Sequence, residues 1–146
     1  MADNADLARS FYENWNTREF EKTTRSFAPD STVVIVGSGQ TFHGPKGMME
    51  FETMWADAFP DGSVTIDTVV AHGDHVVVEY TGRGTHTGTL RTPMGDLPAT
   101  GRSLTLQLVD ILEFDGGTVR SQRTYFDTGS MMAQLGISAA QAATQQ

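Results

Sequence analysis

Apolar residues recur every third or fourth position at the start of the chain. Ala8, Phe11, Tyr12 and Trp15 fall on one helical face, with Asp3 or Asn4 as the cap. Phe20, Thr23, Thr24 and Phe27 repeat that spacing after a break at residues 16–18, which predicts a second short helix. Ala28-Pro29-Asp30 ends helical structure, because the residue before a proline avoids the helical region. Residues 31–36 are rich in β-branched side chains and read as a strand, and Gly37-Ser38-Gly39-Gln40 reads as a turn. Gly44-Pro45 opens a third helix with the wide stripe Met48, Phe51, Met54, Trp55, Ala58 and Phe59, stopped at Pro60-Asp61-Gly62.

From residue 63 the apolar period changes to two. Residues 63–71 and 75–85 are predicted strands joined at Gly73-Asp74. Residues 92–101 form a Pro/Gly-rich loop whose apolar members Pro93, Met94, Leu97 and Pro98 suggest a lid or a dimer contact. A second hairpin, 102–114 and 118–126, turns at Asp115-Gly116-Gly117. A short helix over 128–135 closes at Gly136, and 138–146 is an Ala/Gln tail expected to fray. Three helices interrupted by one strand, then a long antiparallel sheet, predict a single α+β domain over residues 1–137, helices on one face of a curved sheet. Such a cone encloses a pocket, and pockets of this kind hold roughly 300–1,000 Å³.

Length and composition narrow the chemistry. The 146 residues, 38% apolar, suit one core, and the formal charge of −8 argues against nucleic acid and anionic membrane as partners. The absence of cysteine excludes disulfides, thiolate metal ligands and a cysteine nucleophile. His43, His72, His75 and His86 show no metal-ligand spacing. Gly82, Gly84 and Gly88 lie in a strand rather than before a helix, so neither a phosphate loop nor a dinucleotide site is supported. No basic leader followed by an apolar run is visible, and the apolar runs are too short to span a bilayer, so the default is a soluble cytoplasmic protein.

Four segments carry a resemblance together: Phe42-His43-Gly44-Pro45, Gly84-Thr85-His86-Thr87-Gly88, Leu97-Pro98-Ala99-Thr100-Gly101-Arg102, and Asp127 followed by Gln134-Leu135-Gly136. With them the chain resembles the SnoaL-like polyketide cyclase family, within the nuclear-transport-factor-2-like and ketosteroid-isomerase-like superfamily, over about residues 7–136. The resemblance implies a cone-shaped α+β barrel, commonly a homodimer, and a cofactor-independent lyase or isomerase of antibiotic biosynthesis. Such an enzyme closes a ring in a polyketide-type intermediate. Family members use an aspartate that removes a proton beside a carbonyl, helped by histidine, asparagine and glutamine. Carried over by position, the glutamine of the fourth long strand is matched by Gln107. The family's other polar places fall at Val33, Val109, Gln122 and Thr124.

Neither Gln122 nor Thr124 takes up a proton at neutral pH, though both orient a carbonyl by hydrogen bonding. The expectation is an apolar chamber, lined by Val33 and Val109, in which Gln107, Gln122 and Thr124 fold a hydrophobic substrate towards an aldol-type closure or a cycloaddition. Asp127 is either the cap of the last helix or a fallback base, and His43 either a helix-start residue or an auxiliary donor. His86 either shapes a bend between glycines or contacts substrate. Trp15, Phe51, Trp55, Tyr80 and Met132 are the aromatic and methionine residues expected along the pocket, with core packing as the plain alternative. Asp110 interrupts the alternation Leu104, Leu106, Leu108, Leu112, Phe114 and is expected to pair with Arg120 or Arg123. Two rival functions stay open. One is ring modification, by epoxide opening or cofactor-free hydroxylation, which a buried carboxylate pair would favour. The other is a non-catalytic small-molecule-binding module, which a pocket filled by its own aromatic residues would favour.

Overall fold

In the computed structural model, which describes residues 3–137, an α+β fold wraps four helices around a curved mixed sheet. The first helix, α1 (Asn4–Asn16), starts where the Asp3 carboxylate accepts the Asp6 N–H at 2.8 Å, and it buries Ala8, Phe11 and Tyr12. It ends at Arg18, whose φ of 65° is left-handed. The Arg18 guanidinium holds that end by donating to the carbonyls of Trp15, Pro60 and Gly62 at 2.8–2.9 Å, 4.1 Å above the Trp15 ring. The short α2 (Phe20–Thr24) follows.

Strand β1 (Phe27–Ile35) begins four residues earlier than the β-branched run suggested. Phe27 leaves the helical stripe to pair with Val119, and Pro29, which has no N–H to donate, sits inside the register break that follows. Strand β2 (Gln40–His43) has too little apolar alternation to read from sequence, burying only Phe42, and pairs antiparallel with β1 at the sheet's edge. Helix α3 (Gly44–Ala58) comes next, then β3 (Ser63–His72) and β4 (His75–Thr85). The remaining elements are β5 (Leu90–Thr92), β6 (Gly95–Leu97), β7 (Ser103–Asp115), β8 (Thr118–Phe126) and α4 (Thr128–Gln134). The large sheet runs β2-β1-β8-β7-β4-β3, antiparallel except where β1 lies parallel to β8. The predicted tail at 138–146 lies outside the described residues.

Part of the loop at 92–101 folds, with the residues just before it, as the β5–β6 hairpin, which buries Leu90 and Leu97 and leans on α3 through Arg91 and Asp57 at 3.0 Å. Leu97 is interior, whereas Pro93, Met94 and Pro98 are exposed. The glycines around His86 serve close approach. A Cβ at Gly84 would stand 3.0 Å from Phe59 Cβ, and one at Gly88 would stand 1.8 Å from the Asp57 carbonyl oxygen, where the Gly88 N–H already bonds the Ala58 carbonyl. These contacts press the end of α3 onto the chain that follows β4. Gly88→Ala is therefore expected to destabilise the fold by about 2–4 kcal/mol, in the range of overpacked cores, read as a lower midpoint in urea denaturation.

Candidate functional site

The inward face of β7 carries Leu104, Leu106, Leu108, Asp110, Leu112 and Phe114, all buried. Opposite it, β4 turns in Val76, Val78, Tyr80, Gly82 and Gly84. From the helix layer, α1 contributes Phe11, Tyr12 and Trp15, and α3 contributes Met48, Phe51, Glu52, Trp55 and Phe59. Between the layers lies a cavity of about 110 Å³ with an almost wholly apolar wall. Asp110, Gln122 and Glu52 are buried along it, whereas Ser63 and Arg83 are exposed and mark its mouth. Gly82 leaves room in that wall, since a Cβ there would meet only Leu108 and Val64, at 3.5 and 3.9 Å.

Asp110 is the polar centre of this cavity, 3% exposed. Its partner is not Arg120 or Arg123. Thr124 is its cross-strand neighbour on β8, and Arg123, one residue away, faces the other side. Three hydroxyls replace the expected cation. Tyr12 donates to Oδ2 at 2.6 Å, and Thr124 and Tyr80 donate to Oδ1 at 2.8 and 3.1 Å. Gln122 Nε2 donates in turn to Thr124 Oγ1 at 3.1 Å. A carboxylate offers about four lone-pair sites, so one site on Oδ2 stays open. Burial pushes the Asp110 pKa up to about 6, with the hydrogen bonds from Tyr12, Thr124 and Tyr80 opposing it. Burial, together with the Asp110 charge, drives the Tyr12 and Tyr80 hydroxyls well above their usual range, so both remain neutral donors.

Glu52 is the second carboxyl of the cavity, 1% exposed, and burial raises its pKa to about 8. Sequence reading passed over it, although it stands in the same row as Met48, Trp55 and Phe59 at spacings of four, three and four. A charge in phase with an apolar stripe was the available signal.

The sequence-predicted site residues divide. Trp15, Phe51, Trp55, Tyr80 and Gln122 line the cavity, and the fully buried Thr124 reaches it through Asp110. The others do not gather there. Gln107 is exposed and Val109 half-buried on the outward face of β7, because the carry-over placed them one residue out of phase with the leucines. Val33 is buried on β1, away from the cavity wall, and Met132 is half-buried against the core. His43 is exposed before α3 and makes no side-chain capping bond. Asp127 caps α4 by accepting the Ser130 N–H at 3.0 Å, the first of its two readings. His86 is fully buried against Phe59, outside the cavity lining, and its Nδ1 accepts the Thr100 N–H at 3.3 Å, which ties the loop to the end of β4. The expectation of a chamber without a carboxylate is corrected by Asp110 and Glu52. Among the described residues, no three His, Cys, Asp or Glu side chains come together as metal ligands, and no helix is long and apolar enough to cross a membrane.

A curved sheet covered by helices and closing on a buried carboxyl is the fold of the nuclear-transport-factor-2-like and ketosteroid-isomerase-like class. The chain belongs to the SnoaL-like polyketide cyclase family, whose model matches residues 5–135. Solved structures agree on the fold. A SnoaL-like protein from Jannaschia sp. superposes with a TM-score of 0.80 at 17% identity, covering 92% of this chain and 96% of that one. A ketosteroid-isomerase-like protein from Catenulispora acidiphila, in complex with trimethylamine, gives 0.77 at 21%, covering 94% and 98%. IdmH from Streptomyces antibioticus gives 0.74 at 24%, covering 93% and 100%. No curated protein matches the chain by sequence. Family membership supports a cyclase-type role.

Two measurements check the electrostatics. Tyr12→Phe removes the shortest donor to Asp110 and is expected to cost about 1–3 kcal/mol in urea denaturation. It should also move the Asp110 titration, read by carboxyl NMR shifts, to higher pH. Glu52 acts on stability in the opposite sense to a paired carboxylate. Its folded pKa lies above the ordinary 4.5, so the folded state holds a proton that the unfolded chain has released, and stability falls as pH rises towards about 8. Glu52→Gln lacks this loss, and its advantage in Tm over the parent should widen by roughly 5–10 °C between about pH 6 and pH 8.

Proposed function

We propose that the protein is a cofactor-independent acid–base enzyme that closes a ring in a hydrophobic, polyketide-type intermediate, with Asp110 as the base. The observation that carries this reading is the single open lone pair of a desolvated carboxylate at the cavity wall, held from three elements by hydroxyl donors. A base with a pKa of about 6 is largely ionised at neutral pH yet still accepts a proton, the range in which general bases work best. Asp110 Oδ2 removes a proton from a carbon beside a carbonyl. Gln122 acts through Thr124, and Thr124 through Asp110, so both are positioning residues. The catalytic group is the carboxylate that they hold.

The volume shapes the substrate. About 110 Å³ is below the roughly 300–1,000 Å³ of pockets that enclose a drug-sized ligand. The reacting end of an intermediate fits inside, and its remainder lies across the mouth at Ser63 and Arg83. Trp15 and Trp55, each half-buried on the wall, are the side chains whose rotation enlarges the space.

Epoxide opening is a second reading, favoured by the presence of two carboxyls on one cavity wall. It needs a water activated by Asp110 in place of a carbon acid.

The test uses cyclohexanone, small enough for the cavity, in heavy water. Wild type is expected to accelerate exchange of the protons beside the carbonyl, followed by NMR, and Asp110→Asn to reduce that acceleration at least a hundredfold. Exchange unaffected by Asp110→Asn removes Asp110 as the base, and hydrolysis of cyclohexene oxide without ketone exchange favours the second reading. Gly82→Val adds a branched side chain to the cavity wall, where a Cβ meets its neighbours at ordinary contact distance and the backbone is not left-handed. It should weaken cyclohexanone binding tenfold or more while leaving Tm within a few degrees.

A further inference from the structure

Glu52 takes no part in the proton abstraction described above, and nothing around it accounts for it. It stands midway along α3 in the cavity-facing row, sealed from solvent. Among the described residues no hydrogen bond or ion pair reaches it, and Oε1 is buried without a partner. A polar group left in that state costs stability, and an apolar side chain of similar volume would pack there without the cost. The other groups of the inner wall are held by one another. The Tyr12 and Tyr80 hydroxyls donate to Asp110, and Gln122 Nε2 donates to Thr124. Among the described residues Glu52 is the carboxyl of the inner wall that has no such partner. Burial keeps most of its carboxyl protonated at neutral pH, which makes it an O–H donor and not an anion.

We propose that Glu52 is the acid of this cavity: its carboxyl hydrogen-bonds a ligand's carbonyl oxygen and passes its proton to that oxygen as negative charge develops there. The transfer step rests on Asp110 being the base, whereas the recognition step stands independently. In ring closure, Asp110 Oδ2 takes the proton from the carbon acid, and the C–H electron pair becomes the new C–C bond to a second carbonyl carbon. The π pair of that carbonyl moves onto its oxygen, which receives the Glu52 proton. Asp110 then loses its proton to solvent and Glu52 regains one, so no oxidant, reductant or co-reactant is consumed. The ligand class that follows is a neutral carbonyl compound. A protonated Glu52 offers an ammonium ion of the same shape no charge to pair with, so any binding of that cation falls to the ionised Asp110 and not to Glu52.

Cyclohexanone and cyclohexylamine, the second a cation at pH 7, separate these cases. The chain's two tryptophans, Trp15 and Trp55, both line the cavity, so intrinsic fluorescence reports its occupancy. Asp110→Asn, which removes the anion from the cavity, is expected to bind the ketone more tightly than the amine. Glu52→Gln keeps an N–H donor and should bind the ketone within about threefold of wild type, while proton exchange of the bound ketone slows at least tenfold. Glu52→Leu should lose tenfold or more in ketone binding and gain in Tm, a combination that a purely structural glutamate does not give. The proposal is overturned if Glu52→Leu binds the ketone as wild type does, if Asp110→Asn prefers the amine, or if wild type binds no ketone at millimolar concentration. Its failure is distinct from that of the base. Exchange lost in Asp110→Asn with binding indifferent to Glu52 sinks only the acid, whereas Glu52-dependent binding with exchange surviving in Asp110→Asn sinks only the base.

Discussion

A carboxylate cannot be taken out of water unless donors replace the water, and Asp110 imposes that demand on the whole molecule. Its three donors come from α1, β4 and β8. The bond from Tyr12 ties the helix layer to the sheet across the interior, and the stacking of Tyr12 on Tyr80, with ring centroids 4.9 Å apart, holds two of the donors against each other. The remaining bond runs between adjacent strands in direct register, Asp110 opposite Thr124. Helix placement, strand register and side-chain parity must therefore all be right for one acid to be tolerated. A slip of one residue on β7 would bury Val109 and expose the carboxylate.

The cavity follows from a mismatch of side-chain size between the layers. The helices bring large rings, Phe11, Trp15, Phe51, Trp55 and Phe59, while β4 answers with Gly82 and Gly84. At Gly84 the missing side chain is filled by Phe59 and Gly62, so the layers close. At Gly82 the nearest atoms stand at ordinary contact distance, and the space stays open. The same Gly-x-Gly step on one strand thus seals one end of the cone and opens the wall beside it. Arg18 fixes the rim by gripping the carbonyls of Trp15, Pro60 and Gly62, which keeps α1 and the start of β3 at a set distance.

Period and punctuation made most of the fold legible. Helical stripes, the switch to a period of two at residue 63 and the Asp-Gly-Gly hairpin all correspond to elements. Phe27 and β2 were missed because their structure is imposed from elsewhere. Phe27 pairs with Val119, more than ninety residues away, and β2 is an edge strand with one buried side chain. The site was less legible, and the reason lies in phase. Gln122 and Thr124, which the resemblance supplied, are inward-facing, although the buried Val119 before the register shift has the opposite parity. Gln107 and Val109 came from matching residue types, and that match contradicted the leucine alternation at 104, 106 and 108, which already placed odd-numbered positions outside. Asp110 is visible in the leucine row, but a single sequence does not show that two tyrosines, 98 and 30 residues away along the chain, converge on it in place of a cation. Glu52 was hidden by the habit of reading a helical stripe through its apolar members.

Both carboxyls share one property: each is a polar residue in phase with an apolar period, at a position where leucine would fit. Asp110 recovers part of its desolvation cost through three hydroxyls, and its pKa settles near 6. Glu52 recovers none within the chain, and its pKa settles near 8. Environments that separate two carboxyls in this way leave one ionised and the other protonated at the same pH, which is the division of labour that acid–base catalysis requires. The difference traces to secondary structure. On β7 a side chain has strand neighbours on either side whose hydroxyls can reach it. On the inner face of α3 the backbone donors are consumed within the helix, and the neighbours of Glu52 along its own row are Met48, Trp55 and Phe59. Placing one acid on the sheet and the other on the helix sets their protonation states apart.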